Sequence, residues 1–164
     1  RFASPVSRIA TRAGPPLTTM PFRVRAKLQL AGGESGPILA LGGKLGGMAL
    51  YLENGTPVFT VSDLAGKAVR FAASAPLPAG TTELELDLER KPGASLAPIP
   101  AKVTIRANGQ QVAAGSAEVS IAPALIVAET LDIGIDWGSA VSDSYRPGTP
   151  FTGRIGQVEI DFNR

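Results

Sequence analysis

The sequence predicts an all-β protein, an antiparallel β-sandwich of jelly-roll type with about ten to twelve short strands. Three observations lead there. The 164 residues include 19 Gly and 14 Pro, a density that interrupts any long helix. Several segments alternate apolar and polar residues with period two, the signature of a half-buried strand. Two Asn-Gly dipeptides, Asn54-Gly55 and Asn108-Gly109, supply the left-handed pair of a tight hairpin. No convincing helix and no repeat of fixed period is present.

Taken in order, residues 1–21 show no period. Pro5, Gly14, Pro15, Pro16 and Pro21 break regular structure, so this stretch reads as a linker or extended arm, and residues 22–164 as the sandwich domain. Phe22, Val24, Ala26, Leu28 and Leu30 alternate with Arg23, Arg25, Lys27 and Gln29, which makes a strand with the first set inward. Ile38–Leu41 and Met48–Leu52 are apolar stretches in a glycine-rich region. Pro57–Val61 returns after Asn54-Gly55, and Ala68–Ala72 is a further short strand. Leu84, Leu86 and Leu88 then alternate with Glu83, Glu85, Asp87 and Glu89. This acidic wet face suits the basic face of 22–30, because opposite charges across a strand pair stabilise it by roughly 0.2–1 kcal/mol. Pro92–Pro100 reads as a loop, Val103 and Ile105 as inward positions, and Gln110–Val119 as the return from Asn108-Gly109. Strands at Leu125–Ala128 and Thr130–Trp137 follow, then a loop from Gly138 to Pro150. In the last strand, Phe151–Phe162, the inward parity changes across Gly156, which predicts a bulge there.

Composition bounds the chemistry. Apolar residues make up 44% of the chain, enough for a core and too many for disorder. The absence of Cys removes disulfides, thiolate metal sites and Cys nucleophiles. The absence of His removes the commonest general base and metal ligand. No apolar run is long enough for a transmembrane helix, and a net charge of +2 gives no argument for nucleic acid. The first 30 residues nevertheless hold six basic side chains (Arg1, Arg8, Arg12, Arg23, Arg25, Lys27) and no acid. They form a solvated basic edge or a docking surface for an acidic neighbour or anionic ligand. The opening at Arg1 rather than Met points to processing, or to excision from a longer polypeptide.

The candidate functional residues are few. The carboxylates at 83–89 are expected on one exposed strand face, not flanking a ligand as a glycosidase pair must. Asp132, Asp136 and Asp143, with Gly134 and Gly138, invite a calcium reading. The EF-hand template fails, because Gly134 and Trp137 fall where a ligand and the turn glycine belong. On a continuous strand Asp132 and Asp136 would lie about 13 Å apart, which favours a structural or solvated role. Trp137 follows the parity of Leu131, Ile133 and Ile135 and is expected as a core anchor, with a sugar-stacking platform or a domain contact as the alternatives. Gly42-Gly43-Lys44-Leu45-Gly46-Gly47 lacks the spacing and ending of a phosphate loop, so its glycines are expected to allow tight turns or close backbone approach.

Three stretches together resemble a known family: Gly42–Leu52 followed by Asn54–Val58; Leu131-Asp132-Ile133-Gly134-Ile135-Asp136-Trp137-Gly138-Ser139 followed by Val141-Ser142-Asp143 and Tyr145; and Phe151-Thr152-Gly153-Arg154-Ile155 leading to Val158-Glu159-Ile160. Their order and spacing resemble the carboxy-terminal β-domain of large bacterial arylsulfatases over roughly residues 22–162, with departures at Trp137 and Ala140. The resemblance implies a concanavalin-like or laminin-G-like sandwich. It implies no catalytic residue, because the formylglycine motif is absent (Ser4-Pro5-Val6-Ser7-Arg8 has the wrong spacing). It implies no cofactor in this chain, calcium being expected only in a separate catalytic domain, and a periplasmic or secreted setting. The expectation is thus a non-catalytic accessory domain of a sulfuric ester hydrolase, packing on its catalytic domain and shaping the substrate cleft. The alternative is a lectin-like carbohydrate-binding module. In either case Asp132, Asp136, Trp137, Asp143 and Tyr145 are the candidate contact surface, and the partner is the catalytic domain or a glycan or sulfated substrate, with neither nucleic acid nor membrane.

Overall fold

The computed structural model describes residues 1–2, 6–10, 13–93, 95–122 and 129–162. Eleven strands are present among them: β1 (Val6–Ala10), β2 (Phe22–Leu30), β3 (Gly36–Gly42), β4 (Gly47–Glu53), β5 (Thr56–Ser62), β6 (Ala68–Ala72), β7 (Gly80–Arg90), β8 (Ser95–Ala107), β9 (Gln110–Ile121), β10 (Thr130–Ile133) and β11 (Arg154–Phe162). They form two antiparallel sheets, a six-stranded one in the order β1-β10-β3-β4-β5-β6 and a five-stranded one in the order β11-β2-β7-β8-β9. The strand expected at Leu125–Ala128 lies outside the described residues. No helix among the described residues is long and apolar enough to cross a membrane.

The core lies between the sheets. Phe22, Val24, Leu28, Leu84, Leu86, Leu88, Val103 and Ile105 of the five-stranded sheet face Leu39, Leu41, Met48, Leu50, Leu52, Phe59 and Val61 of the six-stranded one. Each set alternates along its strand, so a slip of one residue in any register would turn it away from the core. The hairpins form where the Asn-Gly pairs stand, with Asn54 at φ 49° and Gly55 at 80°, and Asn108 at 50° and Gly109 at 79°. The β2–β7 pairing places Arg23 opposite Asp87, Arg25 opposite Glu85 and Lys27 opposite Glu83. The register of β11 against β2 shifts between Ile155 and Gln157, which puts the bulge at Gly156.

Four expectations change. Within residues 1–21, expected as a linker or arm, Val6–Ala10 is an edge strand paired to β10, and Phe2 bridges to Val158 of β11. The stretch expected as a loop at 92–100 is largely strand, because β8 already begins at Ser95. The β7 pairing of β8 ends at Ala101, so Pro98 and Pro100 have only β9 beside them, the one-sided setting in which a strand tolerates Pro. The strand expected to run to Trp137 ends at Ile133, since Gly134 takes a φ of 78° and turns the chain away from the sheet. Asp87, expected on a wet face, is only 4% exposed, because arginines on both flanking strands cover it.

Candidate functional site

The two sheets present different outer faces. On the six-stranded sheet, residues 134–150 lie across β3, β4 and β5. Val141 and Tyr145 of this segment pack on Ala40, Ala49, Tyr51 and Val58 in a second apolar cluster. That explains why β3–β5 are buried on both sides. The Tyr51 and Tyr145 rings meet edge to face at 5.3 Å, and the Tyr51 hydroxyl is hydrogen-bonded to Thr60 Oγ1 at 3.1 Å and Ser142 Oγ at 2.9 Å.

Buried carboxylates fasten this cover. The Asp136 carboxylate, 1% exposed, accepts a bond from the Tyr145 hydroxyl at 2.8 Å and one from the Val141 amide at 3.4 Å. Burial outweighs these bonds and pushes its pKa up to about 6. Burial and the facing Asp136 also raise the Tyr145 phenol, so it stays a donor. Asp132, 2% exposed, accepts bonds from the Arg8 amide, Thr130 Oγ1 and the Trp137 amide, and so ties β1 to the turn after β10. Glu129 accepts two bonds from Ser139, at 2.9 Å from its amide and 2.7 Å from its hydroxyl. A Cβ added at Gly138 would sit 1.7 Å from Glu129 Oε2, and one at Gly43 would sit 2.1 Å from Ser139 Oγ. These glycines permit the close approach expected of the glycine segment.

Of the five candidate residues, Asp132, Asp136 and Tyr145 are therefore interior and internally bonded. Asp143 is solvated and pairs with Lys44 at 2.9 Å. Trp137, expected in the core, is 47% exposed, because the turn at Gly134 reverses its parity. Its ring is not bare: the Arg8 guanidinium carbon lies 5.0 Å from the ring centroid, and Gly148 packs beside it. Among the described residues no group of three or more Asp and Glu could hold a metal ion.

The outer face of the five-stranded sheet is open and polar. Its side chains stand in cross-strand rows of alternating sign. One row runs Asp161, Arg23, Asp87; the next runs Glu159, Arg25, Glu85, Arg106. Arg23 donates to Asp87 at 2.7 and 3.1 Å, and Arg106 donates to Asp87 at 2.5 Å and to Glu85 at 2.8 Å. Burial works to raise the Asp87 pKa, but the bonds from Arg23 and Arg106 prevail and hold it below the usual carboxylate range. Arg25 bridges Asp161 at 2.9 Å and Glu159 at 3.5 Å.

The third row, Gln157, Lys27, Glu83, is different. With Arg1, Arg25 and Glu159 it lines a groove of about 360 Å³. The bulge at Gly156 sits at its margin, where a bend in the strand resets which side chains reach the sheet face. Among the described residues the Lys27 ammonium and the Glu83 carboxylate form no ion pair with each other or with a neighbour. Within the groove Arg1 and Gln157 donate to Glu159, whose pKa is held below the usual carboxylate range by Arg1 first and also by Arg25 and Lys27, while Glu83 faces Lys27 across the strand pair without an ion pair. Neither period nor motif signals this groove, because it depends on three strands from distant parts of the chain.

The sequence matches no protein-family model and no curated protein sequence. The fold does match solved structures. The CBM40 domain of the Ruminococcus gnavus IT-sialidase, solved bound to α2,3-sialyllactose, superposes with a TM-score of 0.66 and 13% identity, covering 100% of this chain and 92% of that one. Mouse laminin α1 chain domains LG4-5 give a TM-score of 0.62 and 14% identity, covering 99% of this chain and 44% of that one. At such identities the likeness establishes the jelly-roll, lectin-like and laminin-G-like fold alone. It also corrects the arylsulfatase resemblance: the structures this chain resembles are carbohydrate-binding and laminin G domains, not sulfatase domains. The three stretches that suggested a sulfatase are those that build the shared sandwich, namely the β3–β5 hairpins, the turn after β10 and the entry to β11.

Proposed function

We propose that the chain is a non-catalytic carbohydrate-binding module whose ligand lies in the groove on the outer face of the five-stranded sheet. The observation that carries this reading is that Lys27 and Glu83, opposite each other and in no ion pair among the described residues, line a groove of about 360 Å³ beside Gln157. That volume suits a mono- or disaccharide. Vicinal sugar hydroxyls both donate and accept, so a carboxylate and an ammonium facing one groove can each take one end of a diol. The site stands on strands, which hold it in place before the ligand arrives. The likeness to a carbohydrate-binding domain solved with sialyllactose supports the reading and makes that glycan the first probe. Arg1, Arg25 and Lys27 would face its carboxylate.

The test is calorimetric titration with α2,3-sialyllactose and with neutral lactose. Lys27→Ala and Glu83→Gln should each weaken binding tenfold or more and leave the melting temperature within a degree or two. Binding untouched by both substitutions would overturn the placement, and no binding across a glycan array would overturn the function. A second reading rests on the half-exposed Trp137 beside Arg8, at the opposite sheet. Loss of binding in Trp137→Ala, with Lys27→Ala silent, would favour it.

A further inference from the structure

The four sheet edges are not equally protected. In the six-stranded sheet the edges are β1 and β6, each five residues long. β1 carries Arg8 at a φ of 60° and a register shift between Val6 and Ile9, and β6 carries Arg70. In the five-stranded sheet one edge, β11, bears Arg154, Glu159 and Asp161, and Phe2 bonds to its Val158 in both directions, at 2.8 and 2.9 Å. Short length, bulges, charge and cover are the usual means by which an edge avoids pairing.

The fourth edge, β9, has almost none of these. It runs 12 residues, without Pro and with Glu118 as its single charge. Its pairing with β8 shifts register twice, opposite Ile105 and Arg106 and again opposite Ser95 and Ile99, which leaves Ala113–Val119 as an uninterrupted ladder. No described strand pairs with its outer side. On its inner side Ala113 and Ala117 stay half-buried at the rim of the main core, as does Val69 of β6 nearby. The rim of the core is unfinished here.

We infer that this edge pairs with the β9 of a second copy, antiparallel about a two-fold axis through Ala117, so that two five-stranded sheets become one continuous sheet. The sequence of the strand is self-complementary in that register. Ala113 falls opposite Ile121 and Gly115 opposite Val119, all facing the core side. Ala114 falls opposite Ser120 and Ser116 opposite Glu118, all facing the polar side. The lone charge therefore meets a hydroxyl donor and never its own copy, and each apolar position meets another. A two-fold axis normal to the sheet keeps both polar faces on the same side. Where the glycan reading above also holds, the two grooves face one way, about 34 Å apart at the ordinary strand spacing.

The test is sedimentation of the whole chain across a concentration series, with two substitutions of opposite sign at one exposed position. Ser116→Lys sets an ammonium opposite Glu118 of the other copy and should tighten the dimer, roughly 2- to 30-fold for the two symmetric contacts. Ser116→Glu sets like charges there and should loosen it by a similar factor. Within one chain residue 116 lies opposite Lys102, so the glutamate variant gains a favourable neighbour and its loss of dimer cannot be laid to misfolding. Because the chain has no Cys, Ala117→Cys should form one disulfide-linked dimer on mild oxidation, and Ser74→Cys should not. A monomer at submillimolar concentration overturns the pairing and leaves the edge to a strand of another protein. A dimer indifferent to both charges at 116, or one that fails to cross-link through 117, overturns it as well.

Discussion

The outer face of the six-stranded sheet and that of the five-stranded sheet obey the same alternation, yet one is covered and the other open. On the first, the outward residues of β3–β5 include Ala40, Ala49, Tyr51 and Val58, and a segment of the chain has to cross them. On the second, most outward residues are charged, and Arg23, Arg25 and Arg106 pair with Asp161, Glu85 and Asp87 in rows without any cover. The covered face uses its carboxylates singly and buried, as fasteners. The open face uses them in company with arginines. Solvent exposure of a sheet is thus decided by the outward set of residues, and the open face is the one on which the proposed glycan groove lies.

The largest break in this comparison should come from Tyr51→Ala. It removes a fully buried ring, its contact with Tyr145 and both hydroxyl bonds. Denaturant unfolding should show a loss of about 3–5 kcal/mol. The next effect is one of pH. The Asp136 carboxyl titrates near 6 in the folded protein and near 3.8 when unfolded, so the folded state binds the extra proton between these values. Its contribution makes stability rise by about 3 kcal/mol as pH falls from above 6 to below 4. Asp136→Asn should flatten that slope in urea melts taken at successive pH values, while Tyr145 keeps an acceptor. Asp87 has the opposite sign. Its pKa is lowered, so its contribution is complete above about pH 4 and vanishes as acid carries the pH below its folded value. Asp87→Ala should cost about 1–3 kcal/mol at neutral pH and no more than a fraction of that in strong acid. The smallest change should follow Lys44→Ala. It breaks a solvated pair with Asp143, 87% exposed, and should shift stability by about 0.5 kcal/mol or less. A large effect there would mean that the covering segment depends on its surface pairs.

What the sequence reveals is what is local or periodic. The Asn-Gly hairpins, the inward set of β2, the opposite charges of β2 and β7 and the bulge at Gly156 are each written within a few residues or in a two-residue rhythm. The misread parts depend on distant partners or on one backbone angle. Counting parity from Leu131 points Trp137 inward, and the count fails at Gly134, whose positive φ ends the strand. Asp87 looks like its neighbours Glu85 and Glu89 until arginines from β2 and β8 converge on it. Val6–Ala10 has no rhythm of its own and becomes a strand because β10, more than a hundred residues later, offers an edge. The candidate groove was not legible for the same reason, since Lys27, Glu83 and Gln157 share no motif. The family likeness misled because the shared residues serve turns and packing, which many sandwiches need.

The clasp formed by Phe2 and β1 bears on how the fold comes into being. Val6 pairs with Ile133, Phe2 with Val158, and β2 needs β11 as well as β7. During synthesis Phe2, Val6 and β2 must therefore wait for β10 and β11, more than a hundred residues later, before either layer can close. Such distant pairings slow folding into the millisecond-to-second range. Until then the half-made sheets carry bare edges, and a holdase would guard the yield of correctly closed molecules.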